Sequence, residues 1–181
     1  MSLEDEYREQ PEQMRWEGRF IAAKTRGRWE YVSRTRNIKA AVILAIDDGH
    51  VLLVEQFRVP LGRPCIELPA GLIGDEAGSE HEDAATAAAR ELEEETGYRP
   101  GRIESIGEFH SSPGMVTEAF TLFRAHDLEK VSDGGGVEGE GITVHRVAVT
   151  EIEGFLASKR ADGYAVDVRM LLLLAPGIMQ D

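Results

Sequence analysis

The amino-acid sequence predicts an α/β sandwich in which helices cover a mixed β-sheet. Its 181 residues, 42% of them hydrophobic, are enough to bury one substantial core, so one main domain is expected. Residues 40–46 and 51–57 are short runs rich in β-branched side chains, which is typical of buried strands. Residues 79–96 are alanine-rich in their middle and follow helical spacing, which predicts a helix.

The N-terminal part is expected to be an extension of the main domain. Residues 1–14 show no apolar periodicity and predict a mobile or loosely packed tail. Within residues 16–35, two segments of alternating character flank a turn at residues 25–27, which predicts an antiparallel hairpin. We therefore divide the chain into residues 1–36, the tail and hairpin, and residues 37–181, the main domain.

The remaining elements follow in order. The two apolar runs are joined by a strong hairpin turn, Asp47 to His50, so they are expected to be neighbouring central strands. Residues 65–68 are expected to form a short strand that runs into PAG at residues 69–71, after which the chain turns polar and a loop is expected. Ser79 and Glu82 have the spacing of a capping box that starts the helix, and Gly97 ends it. The later elements are strands at residues 103–110, 119–125 and 142–149 and helices at residues 150–158 and 166–175.

The charge balance bears on the partners of the protein. Thirty-three acidic against twenty basic residues leave a net charge of −13, which opposes approach to a polyphosphate backbone, so no nucleic-acid partner is expected. Basic residues cluster within residues 15–39, and acidic residues within residues 75–95. Positive groups around an acidic centre fit a phosphate ligand bridged by metal ions, although a solvated pair of basic strands explains the same cluster.

Location and redox chemistry are also constrained. No run of about eighteen apolar residues is present, and the acidic start MSLEDEYREQ is unlike a secretory signal. A cytoplasmic protein without a membrane partner is therefore expected. Cys65 is the only cysteine, which excludes an intramolecular disulfide and a thiolate metal cage and predicts a small buried apolar side chain.

The segment from Arg90 to Tyr98 carries the clearest chemical signal. At about 100° per residue, Glu91, Glu94 and Glu95 share one helix face, where like charges repel. A hard divalent cation would offset this repulsion, and Arg90 stands one turn before Glu94 and can pair with it. A solvated acidic face explains the glutamates equally well when they are viewed alone. Another face, expected to pack against the sheet, consists of Ala85, Ala89, Leu92 and Thr96.

This segment resembles the Nudix box, in which a glycine and five residues precede a Glu, followed by seven residues and Arg-Glu-apolar-x-Glu-Glu-x-Gly-apolar. Glu82, the seven residues after it and residues 90–98 match every specified position, and ELPAG at residues 67–71 lies just upstream. Ten residues rather than five separate Gly71 from Glu82, which we interpret as a longer loop and which leaves the role of Glu82 open. The resemblance implies a Nudix-type α/β/α sandwich with an N-terminal antiparallel strand extension.

Outside the box, residues 18–175 look like the ADP-ribose pyrophosphatase branch of the family. Residues 55–71 are similar to its strand and loop before the box, where an arginine at the position of Arg58 reaches the substrate phosphates. Pro113, sixteen residues beyond Gly97, holds a position associated with ADP-ribose hydrolases. Residues 137–147 resemble a late loop that supplies further acids, although a flexible acidic connector explains that loop when it is viewed alone.

The resemblance also implies roles for individual residues. Metal ligation falls to the carbonyl of Ala70 and to Glu91, Glu94, Glu95 and Glu140. The catalytic residues are Glu138, Glu94 and Arg90, with Glu138 placed before Glu140 as the acid that activates or positions water. The substrate-binding residues are Phe20, Trp29, Arg34, Arg58, Glu67, Pro113 and Gly114. Core or dimer packing is the alternative for Phe20 and Trp29, which match an adenine sandwich that relatives build across a homodimer with swapped N-terminal strands.

The expected reaction is Mg²⁺-dependent hydrolysis of the pyrophosphate bond of ADP-ribose to AMP and ribose 5-phosphate, with Mn²⁺ as an alternative ion. Another nucleoside diphosphate-sugar, such as ADP-glucose or GDP-mannose, is the alternative substrate, because the box binds the diphosphate and not the sugar. A sensor that binds ADP-ribose without cleaving it is a third hypothesis. The complete set of like-charged glutamates argues against that sensor.

Overall fold

The computed structural model describes residues 2–35, 38–74, 83–137 and 139–178. The α-helices of this part are α1 Leu3–Arg8, α2 Ala84–Thr96, α3 Ile152–Ala161 and α4 Leu171–Ile178. The strands from β1 to β6 are Glu12–Glu17, Ile21–Arg26, Trp29–Arg34, Lys39–Asp47, His50–Arg58 and Arg63–Glu67. The strands from β7 to β11 are Ala70–Ile73, Tyr98–His110, Ala119–Lys130, Thr143–Ala148 and Ala165–Val166. Short 3₁₀ helices lie at Val59–Leu61, Val149–Glu151 and Val168–Met170.

The strands form two sheets. β1, β2 and β3 make an antiparallel three-stranded sheet, and the main sheet has the order β11-β6-β5-β4-β9-β8, with β10 paired to β5 and β7 paired to β4. The main sheet is mixed, since β4 runs parallel to β9 and β11 runs parallel to β6 while its other pairs are antiparallel. The predicted α/β class with a mixed sheet is therefore confirmed, together with the antiparallel N-terminal extension.

Helices cover both faces of the main sheet, and the alternation of side chains along β5 explains why. Leu53 packs into a core with Leu156 of α3 and Leu174 of α4. Its neighbour Leu52 points to the other face and packs with Leu92 of α2. The acid-bearing helix is thus fixed to the centre of the sheet by apolar burial. Among the described residues, no helix is long and apolar enough to cross a membrane.

Both predicted hairpins are confirmed, since β2 pairs with β3 and β4 pairs with β5. The predicted N-terminal tail is wrong. Residues 3–8 form α1, which begins at a capping box between Ser2 and Asp5, and β1 pairs with β2. Every side chain of β1 is exposed, so its place in the sheet depends on backbone hydrogen bonds that leave no apolar pattern in the sequence.

Three further expectations are corrected. Residues 70–73 form β7, which pairs with β4 and extends two residues into the predicted loop. Helix α2 begins at Ala84, and the side chain of Asp83 caps it by accepting hydrogen bonds from the N–H groups of Ala85 and Thr86. Ser79 and Glu82, the predicted capping pair, lie outside the described residues. The last helix begins five residues later than predicted, at Leu171. Packing of Leu92, Thr96 and partly buried Ala85 is confirmed, and the fully buried alanines of α2 are Ala87 and Ala88.

Candidate active site

The acidic end of α2 is held by the glycine-rich loop that precedes β10. Gly97 ends the helix with φ 77°, a left-handed conformation that favours glycine, and its N–H donates to the carbonyl of Glu93 at 2.8 Å. The N–H of Gly135 donates to the carbonyl of Glu95 at 2.8 Å, and that of Gly136 to the carbonyl of Glu94 at 3.0 Å. These bonds satisfy the last carbonyls of the helix and place the loop beside its acids.

Glu95 is the most buried acid of this face, with 7% of its surface exposed. Its Oε2 accepts a hydrogen bond from the N–H of Ala70 at 3.0 Å. The pKa of Glu95 is raised to about 8. Burial is the main cause and the charges of Glu91 and Glu140 contribute, against the lowering effects of the Ala70 hydrogen bond and of Arg58. The fold therefore brings Glu91, Glu140 and Arg58 within electrostatic range of Glu95.

Glu91 and Glu94 flank Arg90. Arg90 Nη2 lies 3.0 Å from Glu91 Oε1, and Nη1 donates to Glu94 Oε2 at 3.2 Å, which confirms the predicted pair. Glu91 packs against Gly71 of β7, where a Cβ atom would overlap its carboxyl group. Gly71 thus leaves the space that lets an acid of α2 lie against β7.

The donor set fits a hard divalent cation, because the oxygens of clustered carboxylates are the ligands that such an ion prefers. The pKa of Glu95 is raised mainly by its burial, and a cation bound beside it would favour the ionised carboxylate. Among the described residues, no three acidic, histidine or cysteine side chains are already gathered at distances that would hold an ion. Glu138, the predicted base, lies outside the described residues.

Glu140 is held within its own loop. Its Oε2 accepts from the N–H of Val137 at 2.9 Å, and its carbonyl accepts from Gln56 Nε2 at 3.2 Å. Gln56 was not predicted as a site residue. The contact joins residues 84 positions apart, and its only sequence signal is that Gln56 stands two residues before Arg58.

Arg58 and Glu67 form a two-point ion pair. Arg58 Nε donates to Glu67 Oε1 at 2.6 Å and Nη2 donates to Oε2 at 2.9 Å. This hydrogen bonding, more than any other cause, raises the pKa of Arg58, so the guanidinium stays charged. Arg169, which was not predicted, also donates to Glu67. The two predicted substrate-binding residues are thus brought together beside the acids.

The remaining predicted substrate residues fall in two places. Trp29, Pro113 and Gly114 line one cavity of about 590 Å³, together with Tyr7 and Tyr31. Arg34 instead lines a separate polar cavity of about 440 Å³, where its Nε donates to Glu118 at 2.9 Å.

Phe20 and Trp29 are not brought together within one chain. Trp29 is the partner of Arg26 at the turn of the β2–β3 hairpin, whereas Phe20 precedes the other end, where its carbonyl accepts from the N–H of Thr35. Five residues at about 3.3 Å each separate the two ends by roughly 17 Å, too far for both rings to stack on one base. A sandwich therefore needs a second copy of the chain.

Comparison with known proteins agrees with this geometry. Residues 35–166 match the NUDIX domain family. An uncharacterised Nudix hydrolase of Schizosaccharomyces pombe is 35% identical over 155 residues, which are 78% of this chain and 73% of that protein. The ADP-ribose pyrophosphatase of Bacillus subtilis is 41% identical over 93 residues, 51% of this chain and 48% of the relative.

Two further proteins are similar to this chain, one in sequence and one in structure. A GDP-mannose pyrophosphatase of Yersinia enterocolitica is 36% identical over 135 residues, 70% of this chain and 65% of the relative. A crystal structure of an ADP compounds hydrolase superposes with a TM-score of 0.66 at 21% identity, covering 81% of this chain and 80% of the other, and shows a shared fold. With the family match over residues 35–166, the acidic face of α2 and this fold, the chain belongs to the NUDIX family.

Proposed function

We propose that this protein hydrolyses the pyrophosphate bond of a nucleoside diphosphate-sugar in a reaction that depends on a divalent metal ion. ADP-ribose is the proposed principal substrate, with AMP and ribose 5-phosphate as products. The observation that carries the proposal is the electrostatic grouping of buried Glu95 with Glu91, Glu140 and Arg58. Acids that repel one another beside an arginine suit a metal-bridged diphosphate. Relatives named ADP-ribose pyrophosphatase support the substrate.

Glu91, Glu94, Glu95, Glu140 and the carbonyl of Ala70 would hold the ion, for which we propose Mg²⁺, or Mn²⁺ in its place. When bound, such an ion neutralises the diphosphate and stabilises the charge that develops during displacement. Gly71 leaves room for the carboxylate of Glu91.

Side chains of the protein would do the rest. Glu138 takes the proton of the attacking water, and Arg90 orients Glu94 through their hydrogen bond. Arg58, whose guanidinium is fixed by Glu67, contacts the substrate phosphates. A carboxylate base and a fixed arginine would together align the attacking water with the phosphorus for in-line displacement.

The base-binding site is proposed to form between two copies of the chain. Trp29, Pro113 and Gly114 share a cavity, and Phe20, with 67% of its surface exposed, lies at the far end of the same hairpin. A homodimer with swapped N-terminal strands would bring Phe20 of one copy to Trp29 of its partner. Arg34 would supply a further ligand contact. The net charge of −13 supports a small-molecule partner over a nucleic acid, and the cytoplasm remains the proposed location.

A second candidate substrate is GDP-mannose, which is favoured by the names of relatives at 36% identity. The acid cluster serves either substrate, because it addresses the diphosphate. ADP-glucose belongs to the same class of alternatives. A non-catalytic sensor of ADP-ribose is disfavoured by the burial of Glu95 among other acids, which a binding-only protein does not need.

A panel assay tests the proposal. The purified protein is incubated with Mg²⁺ and ADP-ribose, ADP-glucose, GDP-mannose, NADH or diadenosine polyphosphate, and release of AMP or GMP is measured with and without a chelator. We expect metal-dependent cleavage with ADP-ribose preferred. Preference for GDP-mannose would contradict ADP-ribose as the principal substrate, and the proposed hydrolysis of a pyrophosphate bond would stand. Tight, metal-dependent binding of ADP-ribose without turnover of any compound would overturn the hydrolase in favour of the sensor.

A further inference from the structure

The carboxylate of Glu67 is held from two sides. Arg58 donates to both of its oxygens, at 2.6 Å and 2.9 Å, and Arg169 Nη2 donates to Oε2 at 3.2 Å. Only 4% of the Glu67 side chain is exposed. A carboxylate buried this deeply needs its hydrogen bonds, and here two guanidinium groups supply them.

Arg169 is itself fixed by Asp167. The backbone N–H of Arg169 donates to Asp167 Oδ1 at 2.8 Å, its Nε donates to Oδ1 at 2.5 Å, and its Nη2 donates to Oδ2 at 2.9 Å. Asp167 is attached to the sheet, since its N–H donates to the carbonyl of Ile66 at 3.0 Å next to the β6–β11 pair. The Arg169 guanidinium also lies 5.7 Å from the ring centroid of Phe120.

These contacts form a chain of fixed groups that leads to the acid cluster. Its two arginines and two acids balance in charge, and each guanidinium group bonds a carboxylate that is itself held by a second contact. At the far end, Arg58 interacts electrostatically with Glu95. Arg58 is 41% exposed, so without a fixed Glu67 its long side chain would sample other rotamers.

We propose that Asp167 and Arg169 are positioning residues: they fix the carboxylate of Glu67, and Glu67 in turn fixes the guanidinium of Arg58 beside the acids of α2. The role of Arg58 toward a diphosphate rests on the proposed function, whereas the positioning itself is a property of the folded chain. Neither residue needs to touch the substrate.

The positioning is tested by NMR of the arginine Nε–H groups in the full chain. The Arg58 signal is assigned from its loss in Arg58→Lys. We expect it to exchange slowly with water in the wild type, at least about tenfold faster in Arg169→Gln, and at an intermediate rate in Asp167→Asn. Arg146→Gln is the matched control. Arg146 lies on β10 and pairs with Asp47 of β4 at 3.1 Å, so its substitution should leave the Arg58 signal unchanged. An unchanged Arg58 signal in folded Arg169→Gln overturns the proposal.

A double-mutant cycle on nucleotide-sugar cleavage tests the route through Arg58. Arg169→Gln is expected to lower kcat/KM by about tenfold in wild-type background and to have no further effect in Arg58→Gln. Independent, multiplying losses would contradict positioning through Arg58. If Arg169→Gln does not fold, Arg169→Lys takes its place, because it keeps the charge but lacks the planar fork through which Arg169 bonds Asp167 and Glu67. Absence of wild-type turnover would refute the proposed function, and the NMR result would still decide the positioning.

Discussion

At the scale of single residues, Gly71 has no side chain and so leaves space for the carboxyl group of Glu91. The Cβ of an alanine would overlap the carboxyl group of Glu91, the end of a flexible side chain, and not the backbone. We expect Gly71→Ala to fold, to displace Glu91 and to lower kcat/KM by about tenfold or more. Thermal unfolding and turnover are measured together, with Gly154→Ala of α3, which meets no atom within 4 Å, as the control. Full activity in Gly71→Ala would show that Glu91 has no role.

Cys65 makes a pH-dependent prediction at the same scale. Burial raises the pKa of its thiol to about 12, and the charges of Glu67 and Asp167 add to the effect. The reactive thiolate therefore appears only as the pH rises toward that value, and at pH 8 the folded protein holds very little. We expect alkylation by iodoacetamide at pH 8 to be at least about a hundredfold slower in the folded protein than in urea. Rapid alkylation of the folded form would mean that the site opens.

At the scale of elements, the junction between α2 and the glycine-rich loop determines stability. Gly97 has φ 77°, and a Cβ there would overlap the backbone of Ser132. Gly62 has φ 64° but open space around it. We expect Gly62→Ala to cost about 1 kcal/mol of unfolding free energy, the backbone penalty alone, and Gly97→Ala to cost more than that. Urea unfolding of both variants measures the difference, and equal costs would mean that the loop does not pack closely on α2.

The sequence predicted those elements whose stabilising contacts are local in the chain, and not those that depend on contacts between distant segments. The β4–β5 hairpin and the end of α2 were predictable, because local apolar runs, a turn and a glycine determine them. β1 was not, since its six exposed residues show no apolar pattern and are placed by pairing with β2 and by side-chain contacts such as that of Tyr31 with Glu12. β7 was not either, because its pairing with β4 joins segments about thirty residues apart in sequence.

The residues of the candidate site also differ in whether the sequence could predict them. The helix acids were predictable from spacing within α2, and so was the pair of Arg90 and Glu94. The contact of Arg169 with Glu67 joins residues 102 positions apart, and no local pattern contains it. Asp167 and Arg169 stand immediately before the apolar helix α4, and the pattern of this segment indicates core packing.

At the scale of the whole molecule, the separation of Phe20 and Trp29 predicts complementation between copies. Phe20→Ala and Trp29→Ala homodimers should each bind ADP-ribose weakly, with a raised KM, because each lacks one stacking ring. After refolding as a mixture, heterodimers contain one complete site, so activity should recover above that of either variant. Analytical ultracentrifugation establishes the dimer, and no recovery by a mixed dimer would exclude a shared site.

The central claim is that the acidic face of α2, with buried Glu95 at its end, serves the hydrolysis of a nucleotide sugar. Its most direct test compares Glu95→Gln with Glu93→Gln on the same helix, since Glu93 pairs instead with Arg99 at 2.7 Å. With Mg²⁺ and ADP-ribose, kcat/KM should fall by about a hundredfold or more in Glu95→Gln and change by no more than about twofold in Glu93→Gln. Equal effects of the two substitutions, or full activity in Glu95→Gln, would contradict the assignment of this site.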